Sequence, residues 1–121
     1  MYAVAQALSQ WFTQFELPVY LRNDIPDDAA APYITIAMNV PEWDKKASFP
    51  VTVWYRTKSN LAPMQKSDQI VAAVGSGIRI PCTDGEIVLY PDNPLQQPMV
   101  DGDYRSIYML FTINAYHLPS A

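Results

Sequence analysis

Cysteine, histidine, glycine and positive charge are all scarce in this sequence of 121 residues. A single cysteine, Cys82, rules out an internal disulfide bond, which fits a reducing cytoplasm better than secretion. With 8 Lys and Arg against 12 Asp and Glu, the net charge is −4, and the chain lacks the basic surface that grips phosphate backbones. The composition therefore argues against a protein dedicated to binding nucleic acid.

Long apolar runs are missing as well. No stretch approaches the roughly 20 apolar residues that a membrane-spanning helix needs, and no basic segment leads into an apolar run, as a secretion signal would. The 4 glycines form neither a phosphate-binding loop nor a dinucleotide-binding fingerprint. We therefore expect a soluble protein that is intracellular when made and has no membrane partner.

Side chains suited to catalysis or metal binding are few and do not form a set. His117 is the only histidine, and we expect it at a surface or edge position at the end of a strand. Cys82 has no second cysteine for a metal site or a redox pair. The aspartates lie in turn-like segments and lack the spacing of a calcium-binding loop. The sequence thus predicts no enzyme, no metal and no cofactor.

Hydrophobic residues, by contrast, make up 50% of the chain, and their spacing predicts two helices. The first helix precedes Pro18 and has one apolar stripe, formed by Val4, Leu8, Trp11, Phe12 and Phe15. The second lies between a plausible N-cap at Asn60 and a stop at Gly75. Its predicted inner side consists of Met64, Ser67, Ile70, Val71 and Val74.

Alternating apolar residues predict a mostly antiparallel sheet of four to six strands. The predicted strands are Val19–Arg22, Tyr33–Val40, Val51–Thr57, Ile78–Cys82, Glu86–Tyr90 and a last strand from about Tyr104 to Tyr116. We interpret Pro41–Ala47 as a protruding loop and the proline-rich segment Pro91–Pro98 as a second loop. With both helices packed on one face of the sheet, residues 1–121 form a single α+β domain.

Two of the predicted strands carry large apolar side chains on both faces. Val53 alternates with Trp54 in one strand, and Ile107 and Met109 alternate with Tyr108 and Leu110 in the other. Two short helices can cover one face of a sheet but not both. Something else should cover the second face.

Self-association is the economical explanation, since another copy of the chain would bury the second face. The predicted oligomer interface consists of Trp54, Arg56, Tyr104, Tyr108 and Tyr116. The alternative is a sheet curled enough to be covered by its own loops. A separate partner contact is predicted at Trp43, Lys45 and Lys46, where an aromatic side chain lies beside two cations; a solvated hairpin tip is the other interpretation.

Three segments, in their order along the chain, resemble a known family. They are S-F-P-V-T-V-W-Y-R-T (48–57), N-L-A-P-M-Q-K-S-D-Q-I-V-A-A-V (60–74) and Y-R-S-I-Y-M-L-F-T-I-N-A-Y (104–116). With the N-terminal helix and a strand that ends in a long loop, they span nearly the whole chain. This arrangement is similar to that of the small tail terminator, or tail completion, proteins of long-tailed bacteriophages, sometimes labelled minor capsid proteins.

The resemblance implies an α+β virion subunit without catalytic residues. Such subunits form a ring, commonly a hexamer, on the head-proximal end of the tail tube, where the ring stops tube growth and offers a surface for the filled head. The implied partners are other copies of the chain, the tail tube protein and head-completion or connector proteins. Two alternatives stay open: a head-completion or neck adaptor protein, and a small-ligand-binding or enzymatic α+β domain.

Overall fold

A computed structural model describes residues 2–38, 45–83 and 85–117, apart from the side chains of Pro94 and His117. These residues contain two α-helices, a short 3-10 helix and six β-strands. In chain order they are α1 (Tyr2–Phe12), the 3-10 helix (Thr13–Phe15), β1 (Val19–Leu21), β2 (Tyr33–Ile36), β3 (Lys46–Arg56), α2 (Leu61–Val74), β4 (Ile78–Cys82), β5 (Gly85–Asp101) and β6 (Tyr104–His117).

The six strands form one sheet in the order β1-β2-β3-β6-β5-β4. The sheet is mixed, because β1 runs parallel to β2 while all other neighbouring strands are antiparallel. Two helices and a mostly antiparallel sheet confirm the predicted α+β class. The long strands β5 and β6 are joined by a two-residue turn in which Gly102 has a φ of 58°, as a tight hairpin of this kind requires.

Both helices pack on the same face of the sheet and enclose the core there. In α1 the predicted stripe is confirmed: Val4, Leu8 and Phe12 are fully buried, and the Phe12 ring lies 5.9 Å from that of Phe49 on β3. The helix itself stops at Phe12, six residues before Pro18, because the chain tightens into the 3-10 helix.

Helix α2 buries a slightly different stripe from the one predicted. Pro63, Ser67, Ile70 and Val74 are buried at steps of four, three and four, whereas Met64 is 48% exposed. One residue of a helix turns the direction of the side chain by about 100°, so Met64 lies beyond the edge of the stripe that begins at Pro63. The inward position predicted for Met64 is therefore wrong.

The proline-rich segment Pro91–Pro98 is not the predicted loop, because it lies within the 17-residue strand β5. Pro91 pairs with Phe111 and Pro98 pairs with Ile107, while residues 92–95 bulge out opposite Leu110. Strand β4 pairs only with residues 85–89 of β5. Beyond that point β5 has a free edge, where the missing N–H of a proline breaks no second ladder.

Strand β3 begins earlier than the sequence predicted, at Lys46 instead of Val51. The long strand β6 provides the partner, since Lys46 pairs with Asn114 and Pro50 pairs with Leu110. Ala47 and Phe49 are buried toward the helices, in the same alternation as Val51 and Val53. The end of the predicted loop Pro41–Ala47 is thus strand, and its residues 41–44 lie outside the described part of the chain.

Candidate functional site

We call the face of the sheet opposite the helices the front face, and it carries all the residues predicted for the oligomer interface. Residues paired across neighbouring strands point to the same face. Trp54 pairs with Ser106, and Arg56 pairs with Tyr104. Because side chains alternate along a strand, the face of Trp54 also holds Arg56, Tyr104, Tyr108 and Tyr116.

A row of aromatic side chains crosses three strands of the front face. The rings of Tyr20 on β1 and Tyr33 on β2 meet edge to face at 5.7 Å, and Tyr33 stacks with Trp54 on β3 at 6.5 Å. The Trp54 indole N–H donates a hydrogen bond of 2.9 Å to the hydroxyl of Thr35. These contacts hold the three rings in place, yet each ring is only half-buried.

Partial burial alters the chemistry of the middle ring. Desolvation raises the pKa of Tyr33 above its ordinary value of 10.0, and the negative charges that Tyr104 and Tyr20 would carry when ionised raise it further. The Tyr33 phenol is therefore uncharged at neutral pH. The row is an apolar surface with hydroxyl groups at its margin.

A cavity of about 330 Å³, which we call the front cavity, opens beside Trp54. Its floor is formed by the front face, and residues 22–25 of the segment between β1 and β2 close one side. The lining residues are Arg22, Ile25, Thr35, Ala37, Pro50, Thr52, Trp54, Met99 and Tyr108. An apolar hollow with a few convergent polar groups is suited to accept a side chain or a small molecule.

The middle of the front face is more buried than the sequence suggested. Thr35, Thr52 and Ser106 are at most 7% exposed. The chain's own loop between β1 and β2 thus covers part of this face, as the alternative interpretation held, but it leaves the aromatic row and Tyr108 half-exposed. The hydroxyl of Ser106, between Trp54 and Met99, has no hydrogen-bond partner.

The two ends of the front face differ from its middle. At one end the exposed side chains of Arg56 and Asp103 form an ion pair of 3.7 Å, which in water contributes little to stability. At the other end Tyr116 is 37% exposed. Tyr104 and Tyr116 are twelve residues apart on β6, or about 40 Å, so the predicted interface residues share a face without forming one cluster.

The predicted partner-contact loop is only partly described. Trp43 lies outside the described residues, whereas Lys45 and Lys46 are both exposed. Lys46 is the first residue of β3 and points to the front face together with its partner Asn114. The side chain of Asn114 is buried, and its amide oxygen has no hydrogen-bond partner.

The described residues bring no catalytic set together. No group of three or more metal-ligating side chains occurs among them. Cys82 ends β4 and is partly buried beside a second hollow, of about 480 Å³, between α1 and β4. This hollow is lined by Ala3, Gln6, Ala7, Gln10, Trp11, Ile80, Pro81, Cys82 and Thr83. His117 is the last residue of β6.

Several residues of the site were not identified from the sequence. Tyr33 could have been found, since it alternates with Ile34 and therefore had to lie opposite the core. Tyr20, Arg22, Ile25 and Met99 gave no such signal, because their position depends on how distant segments meet. The Trp54–Thr35 hydrogen bond likewise joins residues 19 positions apart and leaves no mark in local spacing.

No helix in the described part of the chain is long and apolar enough to cross a membrane. Comparison of the sequence with models of known protein families and with curated proteins finds no match.

Proposed function

We propose that this protein is a structural subunit that assembles into a homo-oligomeric ring. The observation that carries the proposal is the half-exposed aromatic row of Tyr20, Tyr33 and Trp54, continued by Tyr104 and Tyr108 on the front face. The rings of Tyr20, Tyr33 and Trp54 are already ordered by mutual contacts and by the Trp54–Thr35 hydrogen bond. A partner that covers them would lose little conformational freedom on their side of the contact.

The energetic case follows from the area involved. Apolar surface removed from water contributes about 25 cal/mol per Å², and an aromatic side chain offers about 150–250 Å². Covering the remaining half of several rings therefore contributes several kcal/mol to assembly. This is comparable with a large share of the stability of a domain of this size, about 5–15 kcal/mol.

Within this class we propose the role of a tail terminator, or tail completion, protein of a long-tailed bacteriophage. The order of segments supports it, as described under Sequence analysis. The ring, a hexamer in this proposal, would lie in the virion at the head-proximal end of the tail, against the tail tube protein on one side and head-completion or connector proteins on the other. The net charge of −4 suits a ring through which DNA passes without binding.

A head-completion or neck adaptor protein would use the same assembly surface with different neighbours. Genes that flank this one distinguish these roles from others: portal, capsid and tail-tube genes support a phage connector, and metabolic neighbours argue against it. Small-ligand binding is the candidate from another class. The front cavity, with Arg22 and Tyr108 beside Trp54, is the feature that favours it.

Native mass spectrometry with electron microscopy of the purified protein tests the proposal. We expect closed rings whose mass is a multiple of the 13.6 kDa subunit. A monomer at every concentration would contradict ring assembly. A monomer that also retains a small molecule would favour the ligand-binding alternative.

A further inference from the structure

A second exposed apolar surface lies on the side of the sheet that the helices cover. Leu61 and Met64, in the first turns of α2, are 64% and 48% exposed, and Val100 near the end of β5 is 66% exposed. We call these three residues the rear patch. They are among the largest apolar side chains that the described part of the chain leaves in water.

The topology places the members of the rear patch at one end of the sheet. Val100 pairs with Arg105, which pairs in turn with Tyr55, the last residue but one of β3. Alternation puts these side chains on the helix side, because Pro98 pairs with the buried Ile107. The chain leaves β3 at Arg56 and enters α2 at Leu61, so α2 begins at this same end.

Charged side chains that form no ion pair with another described residue lie near both the rear patch and the front cavity. Lys58 precedes Leu61 and Arg105 neighbours Val100, and neither forms an ion pair with another described residue. Beside Ile25 of the front cavity, the loop between β1 and β2 carries Asp24, Asp27 and Asp28. These three carboxylates are exposed and form no ion pair in the described structure either.

We propose that the rear patch of one copy docks into the front cavity of the next copy. Leu61 and Met64 would enter the hollow beside Trp54, while Lys58 and Arg105 would approach the carboxylates of the loop between β1 and β2. Arg22, on the cavity wall, is the one cation among the lining residues and would lie nearest the carboxylates of its own loop. The inference rests on the proposed ring, since it specifies which two surfaces form the ring contact.

Two observations favour a second copy over another occupant. The apolar residues of the two surfaces are opposite in shape, a hollow on one side of the sheet and projecting side chains on the other. Their unpaired charges are also opposite in sign. Surfaces that differ in this way form a head-to-tail contact. An open chain of copies leaves one front cavity free at one end and one rear patch free at the other, and both are occupied only when the chain closes into a ring.

Mixing two variants tests the pairing of these surfaces. Trp54→Glu damages only the front cavity and Met64→Glu only the rear patch. Each variant alone should remain a folded monomer by circular dichroism and native mass spectrometry. In an equimolar mixture, the intact rear patch of the Trp54→Glu variant can dock into the intact front cavity of the Met64→Glu variant. The mixture should therefore form a heterodimer and nothing larger.

The other outcomes overturn the inference in distinguishable ways. Rings formed by Met64→Glu alone would show that the rear patch is not the contact, while ring assembly itself would stand. Two monomeric variants that form no heterodimer on mixing would show that the front cavity and the rear patch do not face each other. A wild-type protein that is monomeric throughout would overturn the proposed function as well.

Charge reversal provides a version of the test that does not depend on residues near the core. Asp27→Lys combined with Asp28→Lys should raise the Kd of assembly about threefold to thirtyfold, the effect of reversing two exposed charges. Adding Lys58→Glu in the same chain should recover part of that loss. An unchanged Kd, or a further loss with Lys58→Glu, would contradict the proposed pairing.

Discussion

Trp54 on β3 donates its indole N–H to the hydroxyl of Thr35 on β2 at 2.9 Å, and this bond orients the ring that stacks on Tyr33. Thr35 is 5% exposed, whereas the Trp54 ring remains half-exposed. The bond therefore anchors an otherwise accessible aromatic side chain in one orientation. That is the property expected of a side chain that contributes much of the energy of an interface.

Replacing Thr35 with Val should destabilise the subunit by about 1–2 kcal/mol, because the indole N–H loses its acceptor while the shape of the side chain is kept. Thr52→Val is the matched control. Thr52 is the cross-strand partner of Thr35 and is 7% exposed, but its hydroxyl makes no hydrogen bond in the described structure. Urea denaturation measures the free energy of unfolding of both variants. Equal losses of stability in the two would contradict a specific role of the Trp54–Thr35 bond.

Trp54→Glu and Val53→Glu should have opposite consequences although they are neighbours. Val53 is fully buried beneath the helices, and an unpaired carboxylate there costs several kcal/mol, enough to unfold the subunit. Trp54 faces the other way and is half-exposed, so its variant should fold but remain monomeric. Circular dichroism and light scattering separate the outcomes. If both variants unfold, Trp54 belongs to the core of the subunit.

Gln96→Ala should destabilise the protein by about 1 kcal/mol. Its amide donates to the buried hydroxyl of Ser67 at 2.6 Å and to Asp68 at 3.2 Å, and it thereby ties α2 to β5 next to the bulge at residues 92–95. Gln97→Ala, one residue further along on the front face, is the control and should change the free energy of unfolding little. A larger loss of stability in Gln97→Ala than in Gln96→Ala would contradict this role of Gln96.

Alkaline pH should weaken the fold through Tyr33. Because its pKa in the folded state is raised above 10.0, the unfolded chain loses this proton first, and stability falls as the pH rises above about 10. No loss from this group is expected below that pH. Tyr33→Phe should make the free energy of unfolding, measured by urea denaturation, less sensitive to pH above 10. Identical alkaline profiles for wild type and Tyr33→Phe would contradict the argument.

Changing Trp43, Lys45 and Lys46 together to Ser should weaken attachment of the proposed ring to the tail tube protein, its proposed partner, while leaving the fold intact. Lys45 and Lys46 are both exposed, so their removal takes no packing from the core. Binding of purified rings to tail tubes, followed by sedimentation, measures the effect, with melting of the variant as the control. Unchanged binding by a folded variant would show that these residues do not contact the partner.

The predictions that succeeded rest on patterns confined to one element. The stripe Val4, Leu8, Phe12 and the alternation of Val51 and Val53 mark buried faces whatever lies above them. From those patterns followed the α+β class and the face that holds Trp54. The errors at strand boundaries arise because such patterns contain no information on pairing with distant strands. Strand β3 extends to Lys46 and β5 continues through Pro91 only because the long strand β6 pairs with them.

The front cavity could not be predicted from local patterns. It forms where the segment carrying Arg22 and Ile25 returns over strands β3 and β5, which are distant in sequence. The parallel pairing of Val19 with Ile34 sets the course of that segment, and parallel pairing leaves no turn signal in the sequence. Local patterns therefore could not show how much of the front face the loop between β1 and β2 covers. The structure shows that this loop covers part of the face.

The most direct test of cover by a second copy is the solvent accessibility of Trp54 in the assembled and the dissociated protein. Hydroxyl-radical footprinting measures it, with the exposed Tyr2 as internal reference and the monomeric Met64→Glu variant, whose front face is unchanged, as the dissociated form. We expect oxidation of Trp54, Tyr33 and Tyr104 to fall severalfold on assembly while that of Tyr2 stays constant. Equal oxidation of Trp54 in both forms would show that no second copy covers the front face.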